Sequence, residues 1–433
     1  MPTRLNAIQA SYRIADDLRV SLPMLADLLN DPQPQVRDAV TRIFERHPAE
    51  TYESVIRVLD NDAPDVRRNA LELLQFFLHA SLAQGGSQTA MSAAAYFDGR
   101  TSWALMTSRL DKDAIEVVTA ALRRLTSDPD AGVRAESLFL LVATERGSIA
   151  ETKRFLHDRG LSADAALMVR PDRDNVEAAV LKNILRFGPD AVALLPELLE
   201  MLNQPWQSSD LVAVGSPYTD RFGDDCIDYH GRIALVLKAL EQIGPPAVVA
   251  IPVLEKRLND LPDQQRPRVA VTLLKLGVPA DVWLPYLVTT LTLPDSEDSA
   301  DWRGVVHGKN LARWYAGRQL ARFHPEEARR QVSKLLPRFQ LANGKINTQA
   351  VCLIWAMAPA AKEAVPLLLR YVPCDDSPVY WHCVEILGEI GSDASVALPV
   401  LRSIGSDKST DPEIRRRVML AIPRIEGVTK SAE

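Results

Sequence analysis

Cysteine is scarce in this sequence. Four occur in 433 residues: Cys226, Cys352, Cys374 and Cys383. None forms a C-x-x-C pair or stands at zinc-finger spacing from a histidine, which argues against a zinc framework and a disulfide scaffold. Free thiols fit a reducing compartment. A basic excess is also lacking: 50 basic and 56 acidic residues give a formal net charge of −6. Global charge therefore gives no argument for nucleic acid, though it leaves room for a local basic patch. No run of about 18 apolar residues occurs, so no membrane span is expected. The opening stretch, MPTRLNAIQASYRIADDLRV, has no apolar core of signal-peptide length. The expected location is the cytoplasm.

Catalytic motifs are equally sparse. G-x-x-x-x-G-K-[ST], G-x-S-x-G and H-E-x-x-H are all missing, so phosphate cradling, a nucleophile elbow and a zincin site lack their usual geometry. The composition is that of a folded protein, 47% hydrophobic and 24% charged, enough to bury a long core. Two or three compact domains and one elongated repeat domain are the competing arrangements at this length.

A recurring proline decides between them. In GPDAVALLP, Pro196 follows Gly188 by eight residues and sits where a helix is expected. A proline inside a helix removes a backbone donor and clashes with the preceding turn, at a cost of roughly 3 kcal/mol. The pattern returns as GPPAVVAIP (Gly244 to Pro252), GVPADVWLP (Gly277 to Pro285), APAAKEAVP (Ala358 to Pro366) and GSDASVALP (Gly391 to Pro399). HPAETYESV and HPEEARRQV, ending at Val55 and Val332, are degenerate copies, and ADDLRVSLP ends the first copy at Pro23. From 252 to 285 is 33 residues, from 332 to 366 is 34, and from 366 to 399 is 33. A fixed period in the thirties marks stacked repeats.

Each unit divides into two helices. Helix A follows the junction, with Val192, Leu195, Leu198, Leu199 and Leu202 as its apolar residues. Helix B precedes the next junction; in GRIALVLKALEQI its face is Ile233, Val236, Leu237, Leu240 and Ile243. The A-to-B turns read NDPQPQVRDAV, DNDAPDVRRNAL, SDPDAGVRAESL and STDPEIRRRVML. Their aspartates are placed to cap the backbone donors at the start of helix B. No long alternating strand pattern appears, so the expected fold is all-α.

The Asp-Pro-x-x-Val-Arg turn, the Gly-Pro-x-Ala junction and the helix A proline together resemble HEAT repeats, close to the short bacterial type found in phycobilisome lyases. The resemblance covers nearly the whole chain. It implies one continuous right-handed α-solenoid over 1–433, of the armadillo/HEAT type, with roughly eleven or twelve helical hairpins. It also implies that the helix A proline bends the outer helix around the inner one. The turn Asp and Arg residues would form a ladder between neighbours, which makes Arg37, Arg67, Arg134 and Arg415 structural residues. The resemblance is weakest from 80 to 125, and the segment 80–101 is expected to be irregular. Leu5 to Ile14 reads as a helix B without a helix A, and this end is expected to be a cap or to meet another protein.

Two intervals exceed the period, 56 residues from 196 to 252 and 47 from 285 to 332. They place insertions at about 203–229 and 292–304, on one rim of the expected solenoid. The first holds Trp206, Tyr218, Phe222 and Tyr229, and the second Trp302. Such aromatics either pin a loop to the repeats or contribute to a binding surface. Both insertions are acidic. Asp225, Asp228 and His230 are metal-ligating residue types, but their spacing matches no calcium loop, and no metal or cofactor is expected.

In HEAT proteins the B helices line the concave face. Nine residues before the junction lie Arg268, Tyr315, Gln349 and His382, expected to be exposed there; six before it lie Lys182, Lys238, Arg318, Cys352 and Glu385. Arginine beside aromatics is common at binding hot spots. The expected binding surface is Arg268, Tyr315, Arg318 and His382, rimmed by Trp206, Tyr218 and Trp302. The expected function is a non-enzymatic scaffold or adaptor for a protein partner, with nucleic acid less favoured. The alternative is a groove-type enzyme or nucleic-acid-acting protein of the DNA glycosylase-like or lyase-like HEAT kind. The resemblance to deoxyhypusine hydroxylase fails on its metal ligands, because none of the seven histidines precedes a glutamate.

Overall fold

The structure is a computed structural model. It describes residues 25–79, 110–143, 146–157, 173–215, 227–292, 309–340, 346–372 and 378–427. The expected irregular segment 80–101 and the first helix, Leu5 to Ile14, lie outside them, as does most of the 292–304 insertion. The chain forms two compact units, one of 1–206 with 231–247 and the other of 207–230 with 248–433.

In the first unit the helices are α1 (Pro34–Arg46), α2 (Pro48–Val58), α3 (Pro64–His79), α4 (Lys112–Leu125), α5 (Ala131–Ala143), α6 (Ile149–His157), α7 (Arg173–Arg186), α8 (Leu195–Asn203) and α9 (Arg232–Ile243). The B helices α3, α5, α7 and α9 pack in succession, each on the next. The face expected for α9 is the observed one: Ile233, Val236, Leu237, Leu240 and Ile243 are all buried. The second unit holds a short antiparallel hairpin, β1 (Val212–Gly215) and β2 (Ile227–His230), with Ala213 opposite Tyr229. Its helices are α10 (Ile251–Asp260), α11 (Arg266–Lys275), α12 (Ala280–Leu291), α13 (Lys309–Phe323), α14 (Pro325–Leu335), α15 (Thr348–Ala356), α16 (Val365–Leu369), α17 (Pro378–Ile390), α18 (Leu398–Ser406) and α19 (Pro412–Ile425). Here α11, α13, α15, α17 and α19 form the row of B helices. Each unit is thus an α-solenoid stack of HEAT-like helical hairpins, and among the described residues the all-α class holds apart from the β1–β2 hairpin. Among the described residues no helix is long and apolar enough to cross a membrane.

The recurring proline does not sit inside an α-helix at most of its positions. Gly188–Leu194 is a 3-10 segment, and α8 begins at Leu195 with Pro196 in its first turn. Pro252, Pro366 and Pro399 likewise open α10, α16 and α18. Proline has no donor to lose there and its fixed φ suits the position, so the expected penalty is avoided. Pro285, inside α12, is the exception in this series. The 3-10 turn also changes the phase of the buried face, since it has 3.0 residues per turn rather than 3.6. Val192 is therefore exposed and Leu194 buried, against the helical reading, and Val248, Val249 and Val396 are exposed for the same reason. Before these segments the chain reverses through left-handed glycines, with φ of 54° at Gly188, 72° at Gly244 and 73° at Gly391.

At the A-to-B turns, Asp130 accepts from the amide of Val133, and Asp411 from those of Glu413 and Ile414, as the sequence indicates. Arg37 and Arg134 fold back onto their own turns, donating to the carbonyls of Asp31 and Asp128. Arg67 does this too, at Asn61 and Asp62, and its other nitrogen reaches Asp128 of the next turn at 2.7 Å. Arg68 and Asp130 make a parallel rung at 2.7 Å. From Asp62 to Asp128 is two periods of sequence, yet α3 packs directly on α5.

Two stability outcomes follow. Gly244→Ala places a side chain at a left-handed φ and should lower unfolding free energy by about 1–2 kcal/mol, measured by urea denaturation. Arg67→Ala removes one partner of a pair whose side chains are both over nine-tenths buried; it should cost about 3–5 kcal/mol, comparable to the core change Leu237→Ala.

Candidate functional site

The described candidates occupy the B-helix row of the second unit, except Trp206, which belongs to the first. Three of them are not on the surface. Arg268 (3% exposed), Tyr315 (5%) and His382 (4%) are buried, as is Gln349 (5%) at the equivalent position. Four B helices supply these residues, and each helix packs on its neighbours in the row. At this position Gln349 and His382 meet residues of the preceding B helix, Arg313 and Trp355. Arg268 donates to Thr272 Oγ1 at 2.9 Å. The Tyr315 ring packs edge-on against Tyr229, with centroids 5.1 Å apart. The His382 ring lies 5.1 Å from that of Trp355, and its Nδ1 is 3.2 Å from Glu385 Oε2.

The insertion aromatics divide in the same way. Tyr229, on β2, is buried and donates to the carbonyl of Gln264 at 2.5 Å. Both strands pack on α13, so this hairpin covers Tyr315. Trp206 donates its indole proton to the carbonyl of Leu202 at 2.9 Å. Tyr229 and Trp206 thus anchor their segments. Tyr218, Phe222, Trp302, Asp225 and the side chain of Asp228 lie outside the described residues. Among the described residues no group of three or more His, Cys, Asp or Glu side chains gathers at metal-binding distance.

Arg318, six before the junction, is half-buried and gives a different picture. Its Nη1 donates to Glu389 Oε2 at 2.6 Å, and its guanidinium lies 5.7 Å from the Trp314 ring centroid. Glu389 Oε1 accepts the indole proton of Trp355 at 2.9 Å. One residue row further, Arg417 donates to Glu385, and to Glu413 at 2.9 Å. The Arg417 guanidinium covers the ring of Trp381 at 5.2 Å, and Trp381 is 37% exposed. Hydrogen bonding from Arg416, aided by Arg417 and opposed by partial desolvation, pulls the Glu413 carboxyl down to about 2. α13, α15, α17 and α19 therefore share one network of paired charges and indole rings, in which Trp314 and Trp355 are buried and Trp381 is exposed. Sequence counting found Arg318 and Glu385. It missed Glu389, Trp355 and Arg417.

Arg268, Tyr315 and His382 hold no nucleophile–base pair, and the two cysteines that are described, Cys352 and Cys383, are buried. Burial pushes the Cys352 thiol up, against the smaller pull of Arg313. In the first unit, burial and the nearby Glu72 carboxylate push the Glu136 carboxyl up to about 7, only partly offset by Arg68.

No family model matches the chain, and no curated protein does. Similar solved structures include an engineered protein, at 16% identity over 94% of this chain and 99% of that one, with a TM-score of 0.37. Importin beta is similar at 10% identity over 95% of this chain, with a TM-score of 0.46; the chain spans 53% of its length. Kap95p, in a structure with RanGDP, is similar at 11% identity over 98% of this chain and 59% of its own, with a TM-score of 0.45. Similarity this low says nothing about function.

The Glu136 carboxyl gives a pH outcome. Its folded-state pKa is above the ordinary 4.5, so between about 4.5 and 7 the folded chain holds a proton that the unfolded chain has released. Stability therefore falls as pH rises through this window, and the penalty is complete above about pH 7. Glu136→Gln should be neutral at pH 4 and stabilising by up to about 3 kcal/mol at pH 8, read from denaturation curves at both values.

Proposed function

We propose that this chain is a non-enzymatic protein–protein interaction scaffold, working without a cofactor in the reducing cytoplasm. Its binding surface is the B-helix face of the second unit. The observation that supports this reading is the mixed sign of that face: Arg318 and Arg417 are each bound to carboxylates, Glu389 and Glu385. A nucleic-acid groove needs cations available to phosphates along its length. Paired charges interleaved with indole rings suit a protein partner instead, where aromatic and arginine side chains supply most of the binding energy. Trp381 is the exposed anchor of this surface, and α19 adds exposed Met419 and Leu420.

The face differs from the one expected from spacing alone. Arg318 belongs to it, whereas Arg268, Tyr315 and His382 are buried. Affinity capture with the full chain, followed by identification of bound proteins and nucleic acids, tests the reading. Trp381→Ala should weaken capture of the same proteins by about 2 kcal/mol or more, while the melting temperature stays near that of the parent chain. Salt-sensitive recovery of nucleic acid in place of protein overturns the proposal, as does capture unchanged by the substitution.

A further inference from the structure

Arg318 and Glu389 are 71 residues apart and lie on B helices that are not consecutive, since α13 packs on α15 and α15 on α17. In stacked repeats each unit contacts its neighbours, so a bond that skips a helix departs from the rule. The approach of α13 to α15 explains how the bond is reached. Gly317, the residue before Arg318, lies so near α15 that a side-chain carbon added there would stand 3.1 Å from Ala356 Cβ. The missing side chain lets the two helices come together at this level. From there the Arg318 guanidinium reaches α17, where Nη1 donates to Glu389 Oε2 at 2.6 Å.

Glu389 uses both of its oxygens. Oε2 accepts from Arg318 of α13, and Oε1 accepts from the Trp355 indole of α15 at 2.9 Å. One carboxylate on α17 therefore holds the two preceding B helices. Guanidinium and indole nitrogens only donate, so both partners need an oxygen, and only a carboxylate supplies two. The pair is sheltered: the side chains of Arg318 and Glu389 are 20% and 14% exposed. Salt and water screen such a pair less than an open surface pair. Between the two ends of the bond lies α15, buried from Gln349 to Ala356. Opening α15 breaks the Trp355 bond to Glu389 and removes the helix that separates Arg318 from its partner.

We propose that Glu389 is an interlock that makes α13, α15 and α17 open as one cooperative block rather than hairpin by hairpin. A face held in this way meets a partner already ordered, which lowers the cost of binding. That consequence rests on the scaffold reading above; the interlock itself does not.

The test is native-state hydrogen exchange of the full chain without a partner, read by mass spectrometry on peptides from each helix. Its outcome is therefore separate from that of the capture experiment. Glu389→Gln keeps the shape of the side chain but leaves one oxygen for two donors. It should speed exchange in α13 as well as α15 at least tenfold, with α3 and α5 of the first unit unchanged. Arg318→Met should do the same to α15 and α17, which keeps the test available if Glu389→Gln does not fold. The double variant should exchange no faster than the more affected single variant, because both substitutions break one interaction. Exchange in α13 unchanged by Glu389→Gln overturns the proposal, since α13 then opens independently of α17. So do single effects that multiply in the double variant. Equal acceleration in every helix of the second unit, α11 included, also overturns it, because the unit then opens as a whole and Glu389 defines no block.

Discussion

A helical hairpin cannot bury its apolar face alone, so successive B helices within each unit pack on one another. This constraint explains why α9 buries Ile233, Val236, Leu237, Leu240 and Ile243 in a single helix of twelve residues. It also explains why polar residues on the B helices are so often buried. Arg313, Gln349 and His382 lie at contacts between successive helices, where each finds a polar or aromatic partner, and Arg268 bonds to Thr272 of its own helix. Stability and specificity of stacking are therefore written into the same residues that, on an isolated helix, read as a polar surface.

The junctions between hairpins meet the constraint by backbone geometry. A left-handed glycine ends one helix, a 3-10 turn follows, and a proline opens the next α-helix in the position where it costs least. At the opposite end, aspartate caps the start of helix B and arginine returns to the turn carbonyls. Arg67 and Asp128 carry the arrangement from one hairpin to the next through a buried pair. Because these contacts involve only nearest neighbours, insertions can leave the stack between helices without interrupting it. The hairpin β1–β2 is one such insertion, fastened by Tyr229 to Gln264 and Tyr315.

The proposed binding surface depends on that stacking in a specific way. A charged pair such as Arg318–Glu389 is held by residues from α13 and α17, with the Trp355 indole of α15 completing the carboxylate's partners. These residues are 71 positions apart at the extremes and meet only because three B helices are consecutive in the row. The same arrangement leaves Trp381 partly open and covers it with Arg417. A mixed surface of this kind favours a partner with complementary polar and charged groups over a uniformly charged one.

Local chemistry was readable from the amino-acid order, because period, cap and turn are set within a few residues. The 33-residue repeat, the all-α class, the aspartate caps and the buried face of α9 all came from residues close in sequence. The proline was visible but its setting was not: the 3-10 turn before Pro196 shifts the helical phase, exposing Val192 and burying Leu194. The hairpin was missed because four-residue strands are too short to show alternation. Which side of a B helix meets solvent was decided only by tertiary packing. Tyr315 and Arg318 are three residues apart on α13, yet one lies under the hairpin and the other reaches Glu389 on α17. Sequence spacing places both on one helix surface, but only the positions of the neighbouring helices divide that surface into a buried flank and an open one.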